Sequence, residues 1–195
     1  PTTAVYCKQF GFKWQGKNPN TLPASGTTWV RLDFGKTIGW DIKEGRDFSK
    51  DFTTDSSAMI LNESAVKQVG MKQDIVGQTI DFNDKKYTVV GVIKDMIMES
   101  PYEPVTPTIF MFNPQNVSIV TVAIKQGAPV RNALSKIETV FKKYNPGAPF
   151  DYTFIYEDYA KKFADEQRIG NLATFFTILA IFISCLGLFG LASFT

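Results

Sequence analysis

Residues Leu172 to Thr195 read LATFFTILAIFISCLGLFGLASFT and contain no charged side chain. As an α-helix, a segment of this length would rise about 36 Å at roughly 1.5 Å per residue. The hydrocarbon core of a bilayer is about 30 Å thick, so the segment is long enough to span it. Its polar members, Thr174, Thr177, Ser184, Ser193 and Thr195, carry hydroxyls that can bond back to helix carbonyls, which keeps their cost in lipid low. Ser184, Gly187, Gly190 and Ser193 recur every three residues and form a small-residue stripe, the expected packing site for another membrane helix. The competing reading is a core helix of a soluble protein, but such helices are shorter and usually keep one polar face. A membrane-spanning helix is therefore the expectation. No basic flank follows it in the sequence, so the positive-inside rule does not orient it.

All 21 basic and 19 acidic side chains precede this tail, which makes the chain a water-compatible body joined to an apolar end. Of the 195 residues, 44% are hydrophobic and 21% charged, values that suit a folded body and argue against disorder. A net charge of +2 with scattered lysine pairs gives no basic patch, and nucleic acid is not an expected partner. Cys7 and Cys185 cannot pair if the tail is in lipid, so no disulfide framework is indicated. Pro1 to Phe10 lack the basic and apolar regions of a signal peptide, and the chain reads as a fragment.

Along the body, Val5 to Phe12 and Thr28 to Phe34 are expected strands, punctuated by Lys17 to Asn20 and Pro23 to Gly26. Ala58 to Leu61 reads as a strand running into a short helix capped by Asn62, with Glu63 in its first turn and Gly70 as its stop. Gln78 to Phe82 and Lys86 to Ile93 flank the hairpin chemistry of Asn83-Asp84-Lys85, and Gly91 marks an expected bulge. Pro101, Pro104 and Pro107 suit a connector. Beyond it, strands are expected at Thr108 to Phe112, Val117 to Ile124 and Phe150 to Tyr156, with a helix over Val130 to Tyr144 that presents Leu134, Ile137, Phe141 and Tyr144 on one face. Asn145-Pro146-Gly147 ends that helix. The order β-α-β implies a right-handed crossover in one sheet. Glu157 to Asn171 is expected to be a polar helix continuous with the membrane helix, with Gly170 and Asn171 as a place where it can kink.

Catalytic machinery is hard to assemble from these residues. The sequence has no histidine, which removes the commonest general base, the usual nucleophile pairs and most zinc sites. Asp41, Glu44, Asp47, Asp51 and Asp55 are interleaved with Lys43, Arg46 and Lys50 and lack the ligand order of a calcium loop, so a solvated loop is expected in preference to a metal site. Glycines occur singly, and no phosphate-cradling motif is present; any ATP hydrolysis belongs to another chain. Asn62-Glu63-Ser64 and Asn116-Val117-Ser118 match the glycosylation sequon by composition only. Trp14, Trp29 and Trp40 can line a groove or fill a core, and core packing is the expectation. No catalytic residue, cofactor or metal is assigned.

Four segments in order carry a resemblance: GWDIKEGRDFS (Gly39 to Ser49), SAMILNESAVKQVGM (Ser57 to Met71), IVGQTI (Ile75 to Ile80) and YTVVGVIKD (Tyr87 to Asp95). Together they resemble the MacB-like periplasmic core domain. ISCLGLFGLASFT (Ile183 to Thr195) is similar to the opening of an FtsX-like permease helix bundle.

The resemblance implies an α+β fold: a Porter-like β-α-β subdomain from residues 1–36 and 104–156, an inserted Sabre-like mixed subdomain from 37–103, a stalk helix at 157–171 and the start of a transmembrane helix at 172–195. It also implies a permease of an ABC transporter in the bacterial inner membrane, with this domain facing the periplasm. The implied partners are a cytoplasmic ATPase on a separate chain, a second permease copy or pseudo-symmetric repeat, and a periplasmic protein. The implied function is transmission of ATP-driven motion to the periplasm, not catalysis. The alternatives are an extracytoplasmic ligand-sensing domain of a membrane-anchored receptor and, third, a membrane-anchored enzyme.

Overall fold

The computed structural model describes residues 7–18, 20, 22–70, 75–98, 103–113 and 119–193. The chain divides into two compact units, Pro1–Tyr152 and Thr153–Thr195. In chain order the first contains β1 (Cys7–Gln9), β2 (Ser25–Val30), α1 (Phe34–Ile38), β3 (Ile42–Gly45), a 3-10 turn (Thr53–Ser57), β4 (Ala58–Asn62), α2 (Glu63–Val69), β5 (Thr79–Phe82), β6 (Lys85–Ile93), β7 (Thr108–Phe112) and α3 (Val130–Tyr144). The second is one long helix, α4 (Ile155–Ser193).

The fold is α+β. Seven strands form one mixed sheet in the order β1-β2-β7-β4-β6-β3, with β5 also paired to β6. β2 runs parallel to β7 and β4 parallel to β6, while the other pairings are antiparallel. All five residues of β4 are buried, as expected for a central strand covered on both faces. Met59 and Leu61 point into a core with Phe12, Ile80, Val89 and Met111. Ile60 points the other way, among Val30, Trp40, Phe48, Ile93 and Phe110.

Local signals explain the elements that the sequence places correctly. The Asn62 side chain accepts a hydrogen bond from the Ala65 N–H at 2.9 Å, and Gly70 ends α2 in the left-handed conformation. Asn83 and Asp84 adopt positive φ, 49° and 59°, the geometry of a two-residue hairpin turn between β5 and β6. The bulge expected at Gly91 sits beside it: Met59 pairs with Val89 and Ile60 with Gly91, which leaves Val90 as the extra residue.

Other expectations fail for identifiable reasons. β2 begins at Ser25, not Thr28, because Ser25 and Gly26 are strand residues held between β1 and β7, not turn material. It ends at Val30, since Asp33 at φ 64° opens α1. Ile42–Gly45 is a strand that the dense charges of Asp41 to Asp47 conceal; as an edge strand with all four residues exposed, it needs no apolar alternation. Residues 119–124 and 150–154 are not strands. Their alternating pattern suits a sheet, but among the described residues no ladder reaches them, and Ile155 and Tyr156 already belong to α4. Val117 and Ser118 lie outside the described residues. The crossover expected around α3 therefore keeps its helix and lacks both strands.

A salt bridge fastens the start of the loop after β3 to the 3-10 turn that precedes β4. Gly45 and Gly91 are paired across β3 and β6, and a Cβ on Gly91 would collide with the Arg46 carbonyl oxygen. This close approach lets Arg46 turn inward, where its guanidinium grips Asp55 with two bonds of 2.8 and 2.7 Å and lies 3.7 Å from the Phe52 ring centroid. Asp55 also accepts the Ser49 N–H at 2.9 Å and is only 2% exposed. The acidic run is thus not a solvated loop throughout: Asp41, Glu44 and Asp51 are exposed, whereas Asp55 is a buried partner. Asp47 is half-buried and accepts bonds from Trp40 Nε1 and the Phe48 N–H.

These surroundings shift the two carboxyls in opposite directions. Burial pushes Asp47 up against the pull of its two donors. Burial also penalises the Asp55 charge, but the Arg46 hydrogen bonds, the Ser49 N–H and the Arg46 charge outweigh it, so Asp55 titrates below its ordinary value. A lowered carboxyl pKa contributes stability above the unfolded value of 3.8, and that contribution is lost as pH falls through the folded value. Arg46→Ala, which strands a buried carboxylate, should cost about 2–4 kcal/mol in urea unfolding at pH 7 of a chain ending near residue 171, the range being discounted because Arg46 is partly exposed. In the same chain, Asp55→Asn should flatten the acid limb of the stability-against-pH curve. An unchanged acid limb would show that the bridge does not stabilise the fold.

Candidate functional site

The family-like motifs become a structural network. Asn62, besides capping α2, accepts the Thr108 N–H at 2.8 Å and donates to the Thr106 carbonyl at 3.1 Å, tying β4, α2 and the start of β7 together. Ser64 bonds Asp95 through its N–H at 2.9 Å and its hydroxyl at 2.7 Å. Asp95 in turn donates its N–H to Glu63, and Glu63 is paired with Lys43 of β3. The Lys43 hydrogen bond, then the Asp95 N–H, hold the Glu63 carboxyl below its ordinary value. With every polar atom of the Asn62 side chain engaged and the residue buried, the first sequon is a structural corner. Asn116 lies outside the described residues.

Among the described residues no group of three or more His, Cys, Asp or Glu side chains could hold a metal. The shallow cleft between Met96, Met98, Pro104 and Thr108 has no titratable lining. Trp40 is in the core, and Trp14 and Trp29 pack against it, so the three tryptophans do not line a groove together.

The second unit is α4. It runs unbroken for 39 residues, joining the polar segment to the apolar one as the sequence implied. Gln167–Gly190, 24 residues of mean hydropathy 2.4, is long and apolar enough to cross a membrane, and none of it is buried. Leu172, Phe175, Ile178, Ile181, Phe182 and Phe189 are all exposed. Its hydroxyls are satisfied internally: Thr174 donates to the Gly170 carbonyl at 2.9 Å, Thr177 to Ala173 at 2.8 Å, Ser184 to Ala180 at 2.8 Å and Ser193 to Gly190 at 3.0 Å. In lipid these bonds relieve the desolvation cost of each hydroxyl.

Helix geometry regroups the small residues. At about 100° per residue, each three-residue step turns the face by about 60°, so Ser184 and Ser193 lie on opposite sides of α4. Ala173, Thr177, Ala180, Ser184 and Gly187, spaced four and three in alternation, fall within about 80° of one another. Gly190 lies one further step, about 60°, outside this seam. The remaining circumference carries mostly Leu, Ile and Phe, with Thr174, Cys185 and Ser193 among them.

Comparisons with known proteins agree with the fold. A family model described as the MacB-like periplasmic core domain matches residues 4–140. The periplasmic region of MacB from Actinobacillus actinomycetemcomitans superposes with a TM-score of 0.52 at 16% identity, over 71% of this chain and 63% of that one. A domain of a putative permease protein from Porphyromonas gingivalis gives 0.49 at 15% identity, over 71% of this chain and 66% of that one. The extracellular domain of the noncanonic ABC-type transporter YknZ from Gram-positive bacteria gives 0.38 at 13% identity, over 53% and 52%. No curated protein matches. The chain spans less than two thirds of the MacB periplasmic region. Because the family model covers the sheet and the motifs that build it, the chain belongs to the MacB-like periplasmic core domain family, and it carries beyond that domain a helix long and apolar enough to cross a membrane.

Proposed function

We propose that this chain is the extracytoplasmic domain of an ABC transporter permease, set in the bacterial inner membrane and facing the periplasm, and that it transmits ATP-driven motion of the membrane helices to substrate export or extraction. The observation that carries this reading is the continuity of α4, Ile155–Ser193. An unbroken helix transmits displacement along its axis, because every turn is braced by i to i−4 hydrogen bonds. The ATPase is a separate cytoplasmic chain. The permease works as a dimer or a pseudo-symmetric pair alongside a periplasmic partner protein, and this chain carries no catalysis of its own. In this reading residues 1–36 with 104–156 are the Porter-like part, 37–103 the Sabre-like part, 157–171 the stalk and 172–195 the start of the membrane helix. The two parts share strands of one sheet, which suits joint displacement better than independent motion.

The small-residue seam is where a second membrane helix packs, with Ser184 and Gly187 at its C-terminal end. The 4-3 spacing is that of a left-handed helix pair. Gly190 and Ser193, grouped with them by sequence spacing, take an outlying and an opposite position respectively.

These readings have separate tests. A chain ending near residue 171 should remain monomeric in water, while the chain through Thr195 should need detergent; equal behaviour by gel filtration would argue against lipid exposure of α4. In a membrane helix-association reporter, Gly187→Leu should weaken association by about tenfold, as loss of about 1–2 kcal/mol of close packing implies, with Ser193→Leu near neutral. The reverse order would move the interface to the other face. In the complete permease with its ATPase, a Gly-Gly-Gly insertion after Ile169 should cut transport by at least about tenfold while ATP hydrolysis stays within about twofold, since flexible glycine breaks the rod without touching the ATPase. Undiminished transport would sink the lever mechanism.

A further inference from the structure

A short length of chain touches both margins of the sheet. β1 lies on the outer edge of β2, pairing Cys7 with Thr27 and Gln9 with Ser25. Four residues beyond Gln9, Lys13 exchanges two backbone bonds of 2.8 Å with Asp81 on the far edge of β5. The two ends of this segment are held differently. At the β5 end, Phe12 is 1% exposed and stacks on Phe82 with centroids 4.3 Å apart, and its carbonyl accepts Lys17 Nζ at 2.7 Å. At the β2 end, no β1 residue belongs to either hydrophobic cluster.

The β2 end also carries polar atoms that burial penalises. Gln9 Oε1 and Thr27 Oγ1 are buried side-chain atoms without a hydrogen-bond partner among the described residues. Register places both on the face shared by Cys7, Gln9, Ser25 and Thr27, where Gln9 Nε2 donates to Cys7 Sγ at 3.2 Å, Cys7 Sγ makes a long 3.9 Å contact with the Thr27 carbonyl, and Gln68 Nε2 donates to Ser25 Oγ at 2.8 Å. A buried acceptor without a donor recovers its hydration when its surroundings open. Three residues of strand with no apolar burial have little to set against that gain.

We propose that residues 7–9 are a releasable clasp: β1 lets go of β2 in the native protein while Phe12 and Lys13 stay seated on β5, and each release uncovers the backbone edge of Ser25–Thr27. The fold therefore contains a strap fixed at one end and loose at the other. This inference does not depend on the transport reading.

Hydrogen exchange followed by mass spectrometry on the full chain in detergent micelles tests it. Amides of residues 7–9 should exchange at least about a hundredfold faster than those of residues 58–62, with little dependence on added urea, as local opening requires. Amides at 13 and 81 should stay protected. Gln9→Val, which removes one orphaned acceptor, should slow exchange at 7–9 by about tenfold and leave 58–62 unchanged; Thr27→Val is the second variant and should act in the same direction. The proposal is overturned if 7–9 and 58–62 open together with the same urea dependence, if residue 13 opens with residues 7–9, or if neither variant slows the exchange.

Discussion

The proposed role rests on one constraint: a single backbone, α4, must continue through a change of solvent. A helix is one of the few structures that tolerates such a passage, because its hydrogen bonds are internal and do not need water. α4 meets that requirement beyond the backbone: the hydroxyls of Thr174, Thr177, Ser184 and Ser193 all donate to carbonyls of their own helix. Its spanning window, Gln167–Gly190, has a mean hydropathy of 2.4, which suits a lipid surrounding.

The folded body is organised so that its polar residues do structural work. Asn62, Ser64 and Asp95 use their side chains to join α2, β4, β6 and the approach to β7. Arg46 and Asp55 pin the loop that follows β3. Residues that a motif search could read as chemistry are therefore occupied in holding the sheet. Buried polar networks, once fully satisfied, favour a single geometry, which would suit the proposed role as a part that is moved without changing shape.

How much of this the sequence discloses depends on the range of the forces involved. Elements set by neighbouring residues were legible: the Asn62 cap, the Gly70 stop, the Asn83-Asp84 hairpin and α3 over Val130–Tyr144 all arise within a few positions of chain. Elements set by a distant partner were not. Ile42–Gly45 is a strand because β6 lies beside it, and residues 150–154 are not a strand because no partner does, although their patterns suggested the opposite. The small residues on α4 show an intermediate case. The small residues were visible, but a three-residue period does not stay on one face of a helix with 3.6 residues per turn, and the seam through Ala173, Thr177 and Ala180 emerges only when the positions are placed on the helix.

Whether α4 passes from water into lipid without a break can be read site by site from the accessibility of single positions along it. Single cysteines placed from Ile155 to Gly190 in a Cys7→Ser, Cys185→Ser background, labelled with a fluorophore and reconstituted in lipid nanodiscs, would be quenched in turn by a water-soluble and a lipid-soluble quencher. The account expects water-side quenching up to about Gln167 and lipid-side quenching from Leu172 onward, with the seam positions weakest in both. Water-side quenching throughout residues 172–190, or protection from both quenchers over that whole stretch, would contradict it.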